Sequence, residues 1–73
     1  MKIGDKVMPR AFPVTCKGYM WEFELWQRGY NNLPESERPL TVSSLDVGGD
    51  VASITHPLVN QPLVVWPNEV VAI

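Results

Sequence analysis

Glycine and proline cut the last third of this chain into pieces too short for anything but strands and tight turns. Val51 to Thr55 is a β-branched run with Gly48-Gly49-Asp50 before it and His56-Pro57 after it, the pattern of a strand between two breakers. Leu63 to Trp66 is apolar at every position, which predicts a strand covered on both faces. Pro67 has no N–H to give a ladder, so pairing must stop or shift there. Pro67-Asn68-Glu69 then fits one tight turn, and Val70 to Ile73 resumes an apolar strand.

A strand, a single helical turn and a final strand is how SH3-like barrels end. Trp66-Pro67-Asn68-Glu69-Val70-Val71-Ala72-Ile73 resembles the aromatic-Pro-turn-Val segment of that family. The opening Ile3-Gly4-Asp5-Lys6-Val7 is similar to the Gly-Asp-x-Val first strand of SH3-like and KOW-like barrels. The resemblance covers only the two ends of the chain. It implies an all-β fold, a small SH3-like barrel of about five strands, with a long irregular loop and a one-turn helix before the last strand.

Size and charge narrow the function classes. At 73 residues the chain reads as one domain, spanning 1–73, and a domain this small buries only about 60% of its unfolded surface. Apolar residues make up 45% and charged residues 19%, a balance that argues for a folded chain and against disorder. A formal net charge of −2 gives no electrostatic case for nucleic acid, a membrane surface or an acidic substrate. No apolar run reaches the roughly 20 residues needed to cross a bilayer, and Met1-Lys2-Ile3-Gly4-Asp5-Lys6 lacks the apolar core of a secretion signal. The single cysteine excludes an internal disulfide. These features together predict a soluble, cytoplasmic protein.

Along the chain, Ile3 to Met8 is expected as the first strand, with Ile3, Asp5 and Val7 on one face. Pro9 ends it or places it at an edge, and Val14-Thr15-Cys16-Lys17 fits a short strand before Gly18. The stretch from Tyr19 to Gln27 alternates, with Trp21, Phe23 and Leu25 on one face and Glu22 and Glu24 on the other. No Ser, Thr, Asp or Asn caps it, so it is expected as a strand ending at Arg28-Gly29. Residues 29–39 form the long loop, with a single helical turn starting at Pro34. In Leu40 to Val47 the apolar phase shifts from even to odd positions, so Ser43-Ser44 marks a bulge.

No motif names a reaction. Cys16 and His56 are far apart and lack an oxyanion-hole companion, so they read as a buried thiol and a loop-starting histidine. They also lack metal-ligand spacing. Glu22 and Glu24 share a solvent face of the expected strand, and Glu35, Glu37 and Arg38 read as a solvated loop. Gly48-Gly49-Asp50 is a turn without the lysine or helix of a phosphate cradle. No catalytic residue, metal site or cofactor is assigned.

The aromatic residues carry the functional expectation. Tyr19, Trp21, Phe23, Trp26, Tyr30 and Trp66 are more large rings than a small barrel can enclose, with Trp66 and either Trp26 or the Trp21/Phe23 face expected inside. The surplus predicts a non-catalytic protein-binding surface built from Tyr19, Trp21, Trp26, Arg28, Tyr30 and Leu33. Its partner would be another protein or a second copy of the chain, as for a phage or mobile-element accessory protein or inhibitor. Two alternatives rest on resemblance. A KOW-like barrel binding nucleic acid could use Lys2, Lys6, Arg10 and Lys17, against the weight of the net charge. The faint similarity of His56-Pro57 and Val65-Trp66-Pro67 to plasmid-encoded type II dihydrofolate reductases fails at Leu63-Val64-Val65-Trp66, which lacks the glutamine of their Val-Gln-Ile-Tyr motif.

Overall fold

The computed structural model describes residues 1–15 and 24–73. Five strands form one antiparallel sheet: β1 (Lys6–Pro9), β2 (Leu40–Leu45), β3 (Val51–Thr55), β4 (Leu63–Val64) and β5 (Val70–Ala72). Their order across the sheet is β4-β3-β2-β1-β5. A helix, α1 (Glu24–Asn31), and a 3-10 turn (Glu35–Glu37) lie between β1 and β2, and a second 3-10 turn (Pro67–Glu69) separates β4 from β5. The all-β class, the five strands and the turn before the last strand are as the sequence implies.

Alternation along the strands builds the core. Val7, Leu40, Val42, Val51, Ile54, Leu63, Val65 and Val70 point inward and meet Val14, Trp26 and Tyr30 in one apolar cluster. Burial of each such side chain contributes about 1.5–3 kcal/mol. The first strand is shorter than expected, because Gly4 adopts φ +95 and turns the chain before Asp5. That turn is closed by Lys2 N–H donating to Asp5 Oδ2 at 2.9 Å and Asp5 N–H to the Lys2 carbonyl at 3.0 Å. Ile3 is consequently exposed. Val14 and Thr15 take no strand pairing, and Cys16 and Lys17 lie outside the described residues.

β2 and β3 form a hairpin whose register shifts between Val42, Ser44 and Leu45, the bulge expected at Ser43-Ser44. Its turn depends on Gly49, which holds φ +85. Asp46 Oδ1 accepts the N–H of Gly48 at 2.8 Å and of Asp50 at 3.0 Å, which satisfies the bend locally.

The helix corrects the sequence reading. Tyr19 to Gln27 was expected as a strand, yet Glu24 to Gln27 form the first turn of α1, and the helix runs on through Arg28-Gly29 to Asn31. Residues 19–23 lie outside the described part. Trp26 and Tyr30 are spaced i, i+4, so the helix brings both rings onto the core cluster, with Leu33 packed beside it two residues past the helix end. Trp26 and Tyr30 stack at 5.0 Å between ring centroids. Asn31 fixes the helix to the preceding loop. Its Oδ1 accepts Val14 N–H at 2.9 Å and its Nδ2 donates to the Val14 carbonyl at 3.0 Å, while Gln27 Nε2 donates to the same carbonyl at 2.5 Å. The amide side chain thus does for Val14 what a neighbouring strand would do. The 3-10 turn after Pro34 is the helical turn expected there.

Gly29 is not a terminator here but a helical residue beside Leu58. A methyl group at Gly29 would meet Leu58 Cδ1 at 3.7 Å, an ordinary contact. Gly29→Ala is therefore expected to stabilise the protein by about 0.5–1 kcal/mol, because alanine lowers the entropy of the unfolded chain. A urea midpoint that falls in the variant would contradict the helical assignment of this position.

β4 also departs from expectation. Leu63 and Val65 are buried, but Val64 is 57% and Trp66 51% exposed, so the segment is covered on one face only. The reason is alternation: Leu63 and Val65 turn into the core cluster, and Val64 and Trp66 take the opposite face. Trp66, expected inside, stands outside, and its place in the interior is taken by Trp26 and Tyr30.

Candidate binding surface

The segment from His56 to Pro62 links β3 to β4 and is shaped by one buried imidazole. Leu58 N–H donates to His56 Nδ1 at 3.2 Å, and Val59 N–H donates to the His56 carbonyl at 2.9 Å. Because Nδ1 accepts, the proton sits on Nε2, which donates to the Glu37 carbonyl at 2.8 Å. The ring is also packed edge-on against Tyr30, 5.4 Å between centroids. Both ring nitrogens are thus engaged, and the loop is tied to the 3-10 turn at Glu35–Glu37. His56 is a structural clamp rather than an available base. Cys16, its imagined companion, lies outside the described residues.

This clamp holds Leu58 outward, 45% exposed, as a ridge between two clefts. The first cleft, about 600 Å³, has Trp26, Val59 and Leu63 as apolar walls, Gly29 at its side and the amides of Asn60 and Gln61 at its rim. The second, about 620 Å³, is walled by Leu33, Pro39, Pro57 and Ile73, with Lys6 and Glu37 supplying one charge of each sign. Both volumes fall within the usual range of recognition pockets, roughly 300–1,000 Å³.

The six residues singled out in the sequence are divided by the structure. Trp26 and Leu33 line the two clefts, one on each side of Leu58. Arg28 is exposed on α1. Tyr30 has no exposed surface at all, so it offers nothing to a partner. Its ring contacts Trp26, His56 and Phe12, the last at 6.1 Å, and its hydroxyl donates to the Arg38 carbonyl at 2.6 Å. Burial pushes its phenol up to about 12, with the Arg38 guanidinium pulling weakly the other way. Arg38 also lies over the Phe12 ring, 3.7 Å from its centroid. Tyr19 and Trp21 lie outside the described residues. Leu58 was not anticipated, although a leucine after His-Pro in a loop is a detectable signal of an apolar side chain with nowhere inside to go.

Of the basic residues named for a nucleic-acid patch, Lys6 Nζ donates to Thr41 Oγ1 at 2.6 Å and Arg10 Nε to the Asn68 carbonyl at 2.6 Å, and Lys17 lies outside the described residues. Among the described residues, no group of three His, Cys, Asp or Glu side chains is placed to hold a metal ion. No helix among them is long and apolar enough to cross a membrane. Compared with protein-family models, curated proteins and solved structures, the chain matches none.

Proposed function

We propose that the chain is a non-catalytic binding module that recognises another protein across the ridge and two clefts around Leu58. The observation that carries this reading is an exposed leucine between two apolar concavities, its backbone tied to His56. A rigid apolar anchor loses little entropy on association, and such anchors dominate the energy of interfaces. The reading takes the fold as an SH3-like barrel, which the strand order and the Pro67–Glu69 turn support. It assigns the protein to the cytoplasm, where a lone cysteine needs no oxidised partner.

The test compares captured proteins on immobilised wild type, Leu58→Glu and Val47→Glu. Val47 is exposed at the tip of the β2–β3 turn, away from both clefts. Proteins retained by wild type and by Val47→Glu should fall at least about ten-fold on Leu58→Glu, with thermal melting of both variants unchanged. An identical retained set on all three baits ends the proposal.

A further inference from the structure

The two outer strands of the sheet are not equivalent. In β4 the backbone alternation set by Val65 N–H donating to the Ala52 carbonyl leaves only Val64 directed outward. Pro62 and Pro67 flank it, and Trp66 N–H is already given to Glu69 Oε1 at 2.8 Å. Short length and flanking prolines are the usual protection of an edge.

β5 has no such protection. Ile73 N–H donates to the Lys6 carbonyl and Arg10 N–H to the Glu69 carbonyl, so the groups bonded to β1 belong to odd-numbered positions. The N–H and carbonyl of Val70 and Ala72 therefore face away from the sheet. Val70-Val71-Ala72-Ile73 contains no proline, no charge and no bulge. The preceding carboxylate, Glu69, is turned back onto Trp66. No described residue bonds to this outer side of β5.

We infer that β5 is a self-pairing edge, joining two copies of the chain antiparallel into one continuous sheet. Self-pairing is favoured because this segment is complementary to its own reverse. With Val71 on the two-fold axis, Val70 faces the partner's Ala72 and Ala72 faces the partner's Val70, forming four backbone hydrogen bonds with no charge at the axis. The blocked β4 edge at the far side of each copy stops the sheet after two, so the assembly closes as a dimer instead of growing into a fibre. A three-residue pairing is smaller than the roughly 1,200–2,000 Å² of stable complexes. The association is therefore weak and concentration-dependent. It meets the Leu58 surface only at Ile73, which also walls the second cleft.

Sedimentation of the intact protein from about 10 µM to 1 mM tests it. The average mass should rise from 8.2 kDa toward twice that value across the series. Ala72→Pro removes one outward N–H and none of the bonds to β1, and should hold the protein at the monomer mass with its circular dichroism intact. Should proline unfold the strand, Val71→Lys leaves every backbone group in place and sets two ammonium groups across the axis, with the same expected loss. Val64→Pro on the opposite edge should leave the association unchanged. A wild type that stays monomeric throughout, or a folded Ala72→Pro or Val71→Lys variant that still associates, overturns the inference.

Discussion

Trp26→Ala is expected to lower the free energy of unfolding by about 3–5 kcal/mol. A chain of this length holds roughly 4–11 kcal/mol in all, so the variant should be largely unfolded well below the melting temperature of the parent. The size of the effect follows from place. Trp26 is 8% exposed and stacks on Tyr30, which is itself sealed under Phe12 and His56. Removing the indole empties the middle of this stack, and the sheet beneath is too well connected to collapse into the space. Were Trp26 a contact residue instead, truncation would cost binding and leave stability within about 0.5 kcal/mol. Urea unfolding of the one variant separates the two roles.

A second large effect should appear in alkali. The Tyr30 phenol is held at about 12 in the folded protein, against 10.0 in an exposed tyrosine. A group with its folded value raised gives its full stabilisation below the unfolded value and loses it as pH climbs to the folded one. Between pH 10 and 12 the unfolded chain releases this proton while the folded chain retains it. Stability should therefore fall by up to about 1.4 kcal/mol per pH unit, by roughly 2 kcal/mol in all at pH 12. Tyr30→Phe isolates the contribution. At neutral pH the variant should be weaker by about 1–2 kcal/mol, because the Arg38 carbonyl loses its donor. Above pH 10 the two stability curves should converge, since phenylalanine has no proton to lose. Parallel curves from pH 8 to 12 would show that the phenol is not held in its protonated form by the fold.

The strands were legible in the sequence where local chemistry and tertiary position agree. Val51 to Thr55 lies between breakers that act within a few residues, and Ser43-Ser44 betrays its bulge by a phase change that no partner strand can alter. Pro67 and the valines after it likewise specify a turn and a strand on their own. The helix was not legible, because Arg28-Gly29 is a stop signal only when nothing packs against it. In the fold Gly29 faces Leu58, and the stacking of Trp26 on Tyr30 outweighs the weak propensity of the intervening residues. Trp66 was misplaced for a related reason. An apolar run of four looks the same whether one face of its strand is covered or both, and only the packing of the folded chain leaves every second side chain in water. The binding surface was half visible. Counting rings pointed to Trp26 and the long loop to Leu33, but neither can tell that Tyr30 is consumed by the core, or that a loop histidine would hold Leu58 upright between the clefts.

The pairing of β1 with β5 has a consequence for how the protein is made. Val7 waits for Ala72 and Met8 for Val71. On a ribosome, which releases chain from the N-terminal side, β1 would emerge long before the strand that flanks it. Until then β1 can pair only with β2, and its other edge stays open. The sheet reaches its full width in a late step, after residues 70–72 have left the exit tunnel, and chaperone capture before that moment would find Val7 and Leu40 still accessible.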